Sequence, residues 1–367
     1  MAKNSIIYIT KDRERAEGML ESSTYSILSG DGSSDTLELL SGVKNIGESS
    51  ILVFKNTKQI EEIAKKNNWN LLNPSAELAE KIENKITQVE WLGELARLLP
   101  PHSVMLTKDI KNIPCVVQWA HSHTGEGTLH IQNENSLKEI QARFPDREAR
   151  VTEYIKGPMF TVNIVVAKDK ILVGNISYQI TGLAPFTDNP FSTIGNDWSV
   201  PPTILTESHL VDFHNISSLI GKKLQDDGWK GLFGIDVIYD EERDKLFLIE
   251  INARQPASTT YESQLQMKAR EKGVAGMTTF EAHLSALTDK DVDSLIVIND
   301  GAQIIQRVTA SVKKINTESL QKAGYKVMEY KNTKLNSDLV RIQSERGIME
   351  THNKFNGRGK EIEKDII

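Results

Sequence analysis

The sequence has little cysteine, no excess of positive charge and no long apolar run, and each shortage excludes a class of protein. Cys115 is the only cysteine among 367 residues, so an intramolecular disulfide and a metal cage of thiolates are excluded. The formal net charge of −6 argues against broad, non-specific binding of nucleic acid. No stretch approaches the roughly 18 apolar residues of a membrane span, and the first residues lack the apolar core of a signal peptide. We therefore expect a cytoplasmic protein that binds neither nucleic acid nor membrane.

Several familiar catalytic motifs are absent as well. The sequence contains no Gly-x-x-x-x-Gly-Lys-Ser/Thr phosphate loop, no His-Arg-Asp kinase loop and no Gly-x-Ser-x-Gly nucleophile turn. The hydrophobic fraction of 39% and the charged fraction of 26% are ordinary for a soluble globular protein, and the length predicts two or three domains. Any nucleotide chemistry in this chain must rest on a different arrangement of residues.

Alternating strand and helix patterns divide the chain into four predicted parts. Residues 1–75 are predicted as a small βαβ domain, and residues 76–150 as a subdomain of helices and strands. A second such subdomain is predicted over 151–310, followed by strands and a charged tail over 311–367. Within the first part we expect strands over 5–10, 50–54 and 69–72, and helices over 12–22 and 59–67.

The most informative stretch is Gly231–Arg254, which reads as two apolar strands joined by a charged turn. With a turn at residues 240 to 244, Asp236 lies opposite Leu248, and Glu250 is its diagonal neighbour on the same face, followed by Asn252. The other face is then entirely apolar, with Phe233, Ile235, Val237, Phe247, Ile249 and Ile251.

Two carboxylates and a carboxamide in an apolar sheet are costly to bury unless a cation meets them. A hard cation with oxygen ligands is the natural partner, and magnesium usually arrives together with phosphate. The alternative is an ordinary hairpin whose acids form structural salt bridges at the end of a sheet.

This pattern of an acid, a charged turn and Glu-x-Asn-x-Arg on the return strand resembles the metal-binding hairpin of the ATP-grasp superfamily. The resemblance implies that Asp236, Glu250 and Asn252 hold one or two Mg²⁺ ions, or Mn²⁺, against the β- and γ-phosphates of ATP. It also implies that Arg254 faces the substrate carboxylate and its phosphorylated intermediate, a role that suits a guanidinium fork. A metal in this place neutralises phosphate oxygens and aligns the transferred group.

Two further segments resemble parts of the superfamily that contact phosphate. The loop Thr124–Thr128, with Gly125 and Gly127, resembles the glycine-rich lid over the ATP phosphates, although an ordinary hairpin turn would have similar glycines. Lys85 stands where the family carries one phosphate-binding lysine, and Gln118 stands where it usually carries another. Glutamine can donate a hydrogen bond to phosphate but brings no charge. The alternative for Lys85 is a solvated lysine on a helix surface.

The segment that begins near residue 152 resembles the adenine-binding hinge of the superfamily. Glu153 and the backbone of Tyr154 and Ile155 would then meet the purine edge, whereas Met159 stands where many members place an acid for the ribose. Taken alone, Glu153 fits a surface acid at a strand end. The irregular stretch 181–203 is a candidate specificity loop, because loops of that length in compact domains are usually functional.

The resemblance covers roughly residues 78–287 and implies an α+β ATP-grasp fold, in which two subdomains clamp ATP, preceded by a small βαβ domain. It implies a carboxylate–amine ligase that activates a carboxylate as an acyl phosphate and joins it to an amine, releasing ADP and phosphate. The expected partners are small carboxylates and amines, amino acids and short peptides among them, and a homodimer is the default assembly. Two alternatives stay open, a regulatory module that binds ATP without catalysis and a phosphotransferase that stops before ligation.

Overall fold

The N-terminal strands form a parallel sheet. The computed structural model describes residues 5–30, 35–120, 127–312 and 314–366. The first elements are the strands β1 Ile6–Thr10, β2 Tyr25–Ser29, β3 Ser50–Val53 and β4 Asn70–Leu71, and the helices α1 Thr36–Gly42 and α2 Lys58–Lys66. The strands pair in parallel in the order β2-β1-β3-β4.

The helix that we predict over residues 12–22, before β2, is wrong. The chain makes only a 3₁₀ turn at Arg13–Ala16 and then returns as β2. The carbonyl of Ala16 accepts a 2.6 Å hydrogen bond from the hydroxyl of buried Tyr25. This bond ties the end of the turn to β2, and Gly18, two residues further on, is a poor helix former.

The second part of the chain forms an antiparallel sheet covered by one helix. It contains α3 Ala76–Glu83, α4 Thr87–Leu92, β5 His102–Leu106, β6 Cys115–Trp119, β7 Thr128–Ile131, α5 Glu134–Arg143 and β8 Glu148–Thr152. The strand order is β5-β8-β6-β7. We call this the lid sheet. Leu137 and Ile140 of α5 pack on its apolar face against Val117 and the buried thiol of Cys115.

Among the described residues, the largest sheet has nine strands and is covered by helices on both faces. Its elements up to residue 307 are β9 Met159–Val166, β10 Ile171–Val173, β11 Ser177–Thr181, β12 Thr193–Asp197, α6 Pro201–Ile204, α7 Glu207–Asp226, β13 Gly231–Asp240, β14 Lys245–Asn252, α8 Thr259–Glu271, α9 Thr279–Leu287 and β15 Ala302–Arg307. Phe213 and Ile220 of α7 belong to the main core, and Ala282 and Ala286 of α9 pack with Leu232 on the other side.

The sheet continues past the boundary predicted at residue 310. The last elements are α10 Thr317–Lys322, β16 Lys326–Glu329, β17 Asp338–Ser344, β18 Met349–Thr351, β19 Lys354–Phe355 and α11 Gly357–Lys364. The strand order is β14-β13-β9-β11-β12-β15-β17-β16, with β10 paired to β9. The charged tail is a helix, because the Asn356 side chain caps its N-terminus and Ile362 and Ile366 are buried in the main core.

The N-terminal sheet lies against α9 and the segment that follows the hairpin. Tyr8 and Tyr25 pack on the ring of Phe280, at centroid distances of 6.1 and 5.7 Å. The hydroxyl of Tyr8 also donates a 2.8 Å hydrogen bond to Oε1 of Gln255. The carboxyl end of β1 therefore faces the residues that come directly after Arg254. Across the described ranges, no helix has both the length and the apolar character to cross a bilayer.

Candidate active site

The acid row of the hairpin is present, but its register differs from the predicted one. Asp236 on β13 pairs with Glu250 on β14, while Val237 pairs with Leu248, so Ile249 is an extra residue in a β-bulge. The prediction that Asp236 lies opposite Leu248 is therefore wrong. Direct neighbours in a ladder are closer than diagonal ones, so the bulge brings the two carboxylates together.

The bulge also changes which face of the hairpin the side chains between the turn and Ile249 occupy. Phe247 pairs with Ile238 and packs with it in a small apolar cluster that Ile155 and Ile249 join. The prediction that Phe247 and Ile249 lie opposite the acid face is wrong, since alternate residues such as Asp236 and Ile238 share a face. We call this cluster the hinge patch, and its members are Ile155, Met159, Ile238, Phe247 and Ile249. It adjoins the acid pair, and its partly buried members Met159 and Ile249 leave some apolar surface open.

The acid pair shares its buried setting with one lysine. The Nζ of Lys85, whose side chain is 2% exposed, lies 2.7 Å from Oε1 of Glu250, so the alternative of a solvated lysine is wrong. Burial alone would raise the pKa of Glu250, but Lys85 outweighs it and holds that pKa below its usual value. Burial, followed by the Glu250 carboxylate, raises the pKa of Asp236 to about 6. Lys85 and Arg254 therefore offset the burial of Glu250, whereas the burial of Asp236 is not offset.

The side chains of the acid row fit a hard divalent cation. Asp236, Glu250 and Asn252 offer carboxylate and carboxamide oxygens, and the Nδ2 of Asn252 lies 3.3 Å from Oδ2 of Asp236. In the described part of the chain, no three His, Cys, Asp or Glu side chains form a complete metal cage. Magnesium usually takes one or two protein carboxylates and completes its shell with water and substrate phosphate, so this small donor set suits it.

Metal binding is expected to weaken as the pH falls through about 6, because the cation needs an ionised Asp236 and the pKa of that carboxyl is about 6. Below that value, each pH unit should cost up to about tenfold in apparent affinity. Calorimetric titration with Mg²⁺ and ADP between about pH 5 and about pH 8 measures this. An affinity that does not change over that range would contradict the expectation.

The raised pKa of Asp236 also predicts how the free energy of unfolding depends on pH. Its folded pKa is raised, so its contribution to folding is present at low pH and is lost as the pH rises through about 6. Asp236→Asn should therefore raise the unfolding free energy of the metal-free protein above that pH by about 1–2 kcal/mol. Thermal melts at both ends of the range check it, and a variant that is less stable at high pH would refute it.

Arg150 is a buried cation beside this site that the sequence patterns did not single out. It lies on β8 directly opposite Gln118 of β6 and is 1% exposed. Its Nε and Nη2 donate to Oε1 of Gln118 at 3.0 and 2.7 Å, and its Nη1 donates to Oε1 of Gln88 at 2.9 Å. Its Nη2 also donates to the carbonyl of Ile249 at 3.0 Å, so one guanidinium joins the lid sheet to the bulge of the hairpin.

The partners of Arg150 are all neutral. Burial lowers the pKa of its guanidinium to about 10, which leaves it charged at neutral pH. Among the described residues, no carboxylate forms an ion pair with it, although Glu250 lies close enough to favour its charge. A buried cation without a bound anion is costly, so the setting favours an anionic ligand at this place. Gln118 stands where a lysine is usual, and this substitution is the signal in the sequence for a cation on a neighbouring strand.

Arg254 is held in position by a carboxylate from the helix that precedes Lys85. Its Nη1 forms an ion pair with Glu83, whose second oxygen lies 2.6 Å from Nζ of Lys55. Burial alone would raise the pKa of Glu83, but Arg254 and Lys55 outweigh it and lower that pKa. A guanidinium has five N–H donors, so those that Glu83 leaves free can take a second carboxylate or a phosphate.

The three predicted hinge residues have different settings. Glu153 forms an ion pair with Arg243 in the turn of the hairpin, as a surface acid at a strand end would. The ring of Tyr154 stacks on that of His130 from β7, with centroids 3.8 Å apart and planes 14° from parallel. Ile155 is buried in the hinge patch. The hinge therefore joins the lid sheet to the hairpin and places its backbone beside an apolar surface.

The lid and the candidate specificity loop are described in part. Gly125 lies outside the described residues, whereas the carbonyl of Gly127 accepts a 3.2 Å hydrogen bond from the N–H of Trp119 at the base of the loop. The stretch 181–203 is more regular than expected, because it contains β12 and α6. Phe191 from this stretch packs edge-on against His130, at a centroid distance of 6.5 Å, so it reaches the hinge.

Comparison with known proteins identifies the domain. The ATP-grasp domain family matches residues 82–258, which include Lys85, the lid sheet, the hinge and the acid hairpin. No curated protein matches the sequence. Residues 82–258 thus form an ATP-grasp domain, and the predicted α+β ATP-grasp fold is confirmed.

Solved structures share this fold over nearly the whole chain. N5-carboxyaminoimidazole synthetase from Staphylococcus aureus, in complex with ADP, has a TM-score of 0.69 at 12% identity and covers 100% of this chain and 98% of its own. The synthase from Aspergillus clavatus, with ADP and 5-aminoimidazole ribonucleotide, has a TM-score of 0.66 at 13% identity and covers 95% of both chains. L-amino acid ligase from Bacillus licheniformis has a TM-score of 0.66 at 13% identity, covering 100% and 99%. At these identities the likeness establishes the fold.

Proposed function

We propose that the protein is an ATP-dependent ligase that activates a small carboxylate as an acyl phosphate and joins it to an amine. The observation that carries the proposal is the acid pair of buried Asp236 and half-buried Glu250 beside Asn252, with the cations Lys85 and Arg150 around it. Two adjacent carboxylates and a carboxamide are oxygen donors that suit magnesium. A second buried cation without an acid partner suits phosphate.

The proposed reaction has two steps. A substrate carboxylate oxygen attacks the γ-phosphorus of ATP and ADP leaves. The amine then attacks the acyl carbon, loses a proton, and phosphate leaves with the former carboxylate oxygen. Magnesium, when bound by the acid row, supplies charge neutralisation on the phosphate oxygens. Lys85 and Arg150 stabilise the transferred phosphoryl group, and Arg254 orients the carboxylate.

The hinge and the glycine loop are the parts that we assign to the nucleotide. The hinge patch packs against adenine, beside the backbone of Tyr154 and Ile155, and the loop with Gly125 and Gly127 covers the phosphates. Gln118 contributes through Arg150, because its Oε1 accepts two hydrogen bonds from that guanidinium. The related solved structures include a ligase of amino acids, which supports amino acids as substrates. We retain a cytoplasmic location and a homodimer as expectations.

Release of ADP against a panel of amino acids, dipeptides and small carboxylates tests the proposal. One acid should stimulate release in the presence of an amine, and mass spectrometry should find a product lighter by one water than its two parts. A stable phosphorylated acid without the amide would favour a phosphotransferase instead. Binding of ATP without stimulation by any acid would favour a regulatory module.

A further inference from the structure

Three charged side chains from distant parts of the chain meet at the end of the acid hairpin. Lys55 comes two residues after β3 of the N-terminal sheet, Glu83 ends α3, and Arg254 comes two residues after β14. One oxygen of Glu83 lies 2.6 Å from Nζ of Lys55, and its other oxygen forms an ion pair with Nη1 of Arg254. We call these three residues the charge bridge, because they join the N-terminal sheet to the end of the hairpin.

The end of α3 serves both the charge bridge and the acid pair. The apolar face of α3 packs in the main core, which fixes the position of the last residue of the helix. Glu83 at that position contacts Arg254, and Lys85, two residues further on, contacts Glu250. Two ion pairs of opposite polarity therefore hold this end of α3 against the return strand of the hairpin.

Glu83 offsets part of the positive charge that Arg254 would offer to an anion. Burial alone would lower the pKa of the Arg254 guanidinium. The carboxylates of Glu83, Glu250 and Asp236 outweigh burial and raise that pKa. A substrate carboxylate that approaches Arg254 therefore meets repulsion from these groups as well as attraction by the guanidinium. Lys85 pairs with Glu250, so Glu83 needs a cation of its own.

Lys55 supplies that cation without taking an N–H donor from Arg254. It contacts one oxygen of Glu83, and Arg254 contacts the other. Burial alone would raise the pKa of Glu83, but Arg254 and Lys55 lower it, so the carboxylate is ionised at neutral pH. The charge bridge thus has one net positive charge, and a guanidinium with five N–H donors keeps some of them for a ligand.

We propose that Glu83 is a positioning residue for Arg254, and that Lys55 neutralises Glu83 so that the charge of Arg254 remains available to the substrate acid. The inference rests on the proposed ligase function and deepens it, since it gives the N-terminal sheet a part in binding the acid. The two residues act through Arg254 in different ways. Glu83 sets the orientation of the guanidinium, and Lys55 sets the net charge that the acid and its acyl phosphate meet.

Kinetics of Lys55→Met test the effect of charge. The KM for the acid that stimulates ADP release should rise about 5- to 10-fold, while kcat stays within about twofold, because Arg254 keeps its partner but the net charge falls. Lys55→Arg should restore the KM. Lys58→Met, an exposed position at the start of α2, is the matched control and should match the wild type. A KM in Lys55→Met equal to that of the wild type would overturn the proposal.

Glu83→Gln should divide its effect between kcat and KM in the opposite way. The amide keeps an oxygen acceptor but cannot pair with both cations, so we expect kcat to fall about tenfold. The KM for the acid should stay within about twofold, since the lost orientation is offset by the gain of net positive charge. An unchanged kcat in Glu83→Gln, or an equal fall of kcat in Lys55→Met, would contradict the separate roles.

Inorganic phosphate gives a test that needs no known substrate acid. Phosphate is titrated calorimetrically into protein saturated with ADP and Mg²⁺, because it shares the charge of the acyl phosphate. Lys55→Met should weaken its binding about 5- to 10-fold, and Lys55→Arg and Lys58→Met should not. Wild-type protein that does not bind phosphate, or binds it no better than Lys55→Met does, would overturn the proposal. Absence of ADP release with every acid would refute ligation instead, and the phosphate affinities would still decide the role of Lys55.

Discussion

Glu250→Gln is expected to lower ADP release by about 10²- to 10³-fold, the largest loss that we predict. The substitution removes a charge from the pair that would hold magnesium, and it removes the carboxylate that lies 2.7 Å from the buried Lys85 ammonium. The rate of ADP release at saturating ATP, with the stimulating acid and amine, measures the effect.

Controls separate lost chemistry from lost folding. Glu241→Gln in the exposed turn of the same hairpin should leave the rate unchanged, because that residue lies away from the acid row. Asp236→Asn should also lose turnover while the metal-free protein gains stability at high pH, since the substitution removes a buried charge that lies next to a second carboxylate. Full turnover in both acid-row variants would show that the pair has no part in the reaction.

Arg150→Met is expected to raise the KM for ATP by about 10- to 100-fold, the second large effect. The guanidinium of Arg150 donates to Gln118, which stands where the superfamily usually carries a lysine. The side-chain oxygens that accept its hydrogen bonds are neutral. Loss of this cation should weaken ATP binding more than it slows turnover at saturation. The KM and kcat for ATP, together with calorimetry of ADP binding, measure the change.

A second substitution keeps this prediction falsifiable if Arg150→Met also loosens the lid sheet. Gln118→Lys added to Arg150→Met returns a cation to the same pair of strands and should recover most of the affinity for ATP. Arg143→Met, on the exposed side of α5, serves as the matched control for charge and should change nothing. A double variant that regains stability but not ATP affinity would show that Arg150 is structural.

The sequence predicted the chemistry of the hairpin better than its geometry. Asp236, Glu250 and Asn252 share a face as expected, because the alternation of side chains along a strand depends on local spacing alone. The register depends on the bulge at Ile249, and no residue type marks a bulge. The bulge sets the contact between the carboxylates and moves Phe247 to the hinge patch, and neither follows from spacing.

The residues that sequence reasoning missed are those fixed by distant pairing. Arg150 meets Gln118 because β6 and β8 are neighbours in the lid sheet, although a hairpin and a helix separate them along the chain. The stretch 181–203 contains β12, although Gly195 and Asn196 are poor strand formers, because the place of that strand between β11 and β15 overrides the local preference. In both cases tertiary contacts decide what local preference cannot.

Transfer of labelled oxygen tests the central claim most directly. The acid that stimulates ADP release is prepared with ¹⁸O in its carboxylate, and the phosphate released with the amide product is analysed by mass. The account predicts one ¹⁸O atom in each phosphate, because the carboxylate oxygen attacks the γ-phosphorus and leaves with it. Unlabelled phosphate, formed while ADP is released, would show that water attacks ATP and would contradict an acyl phosphate ligase.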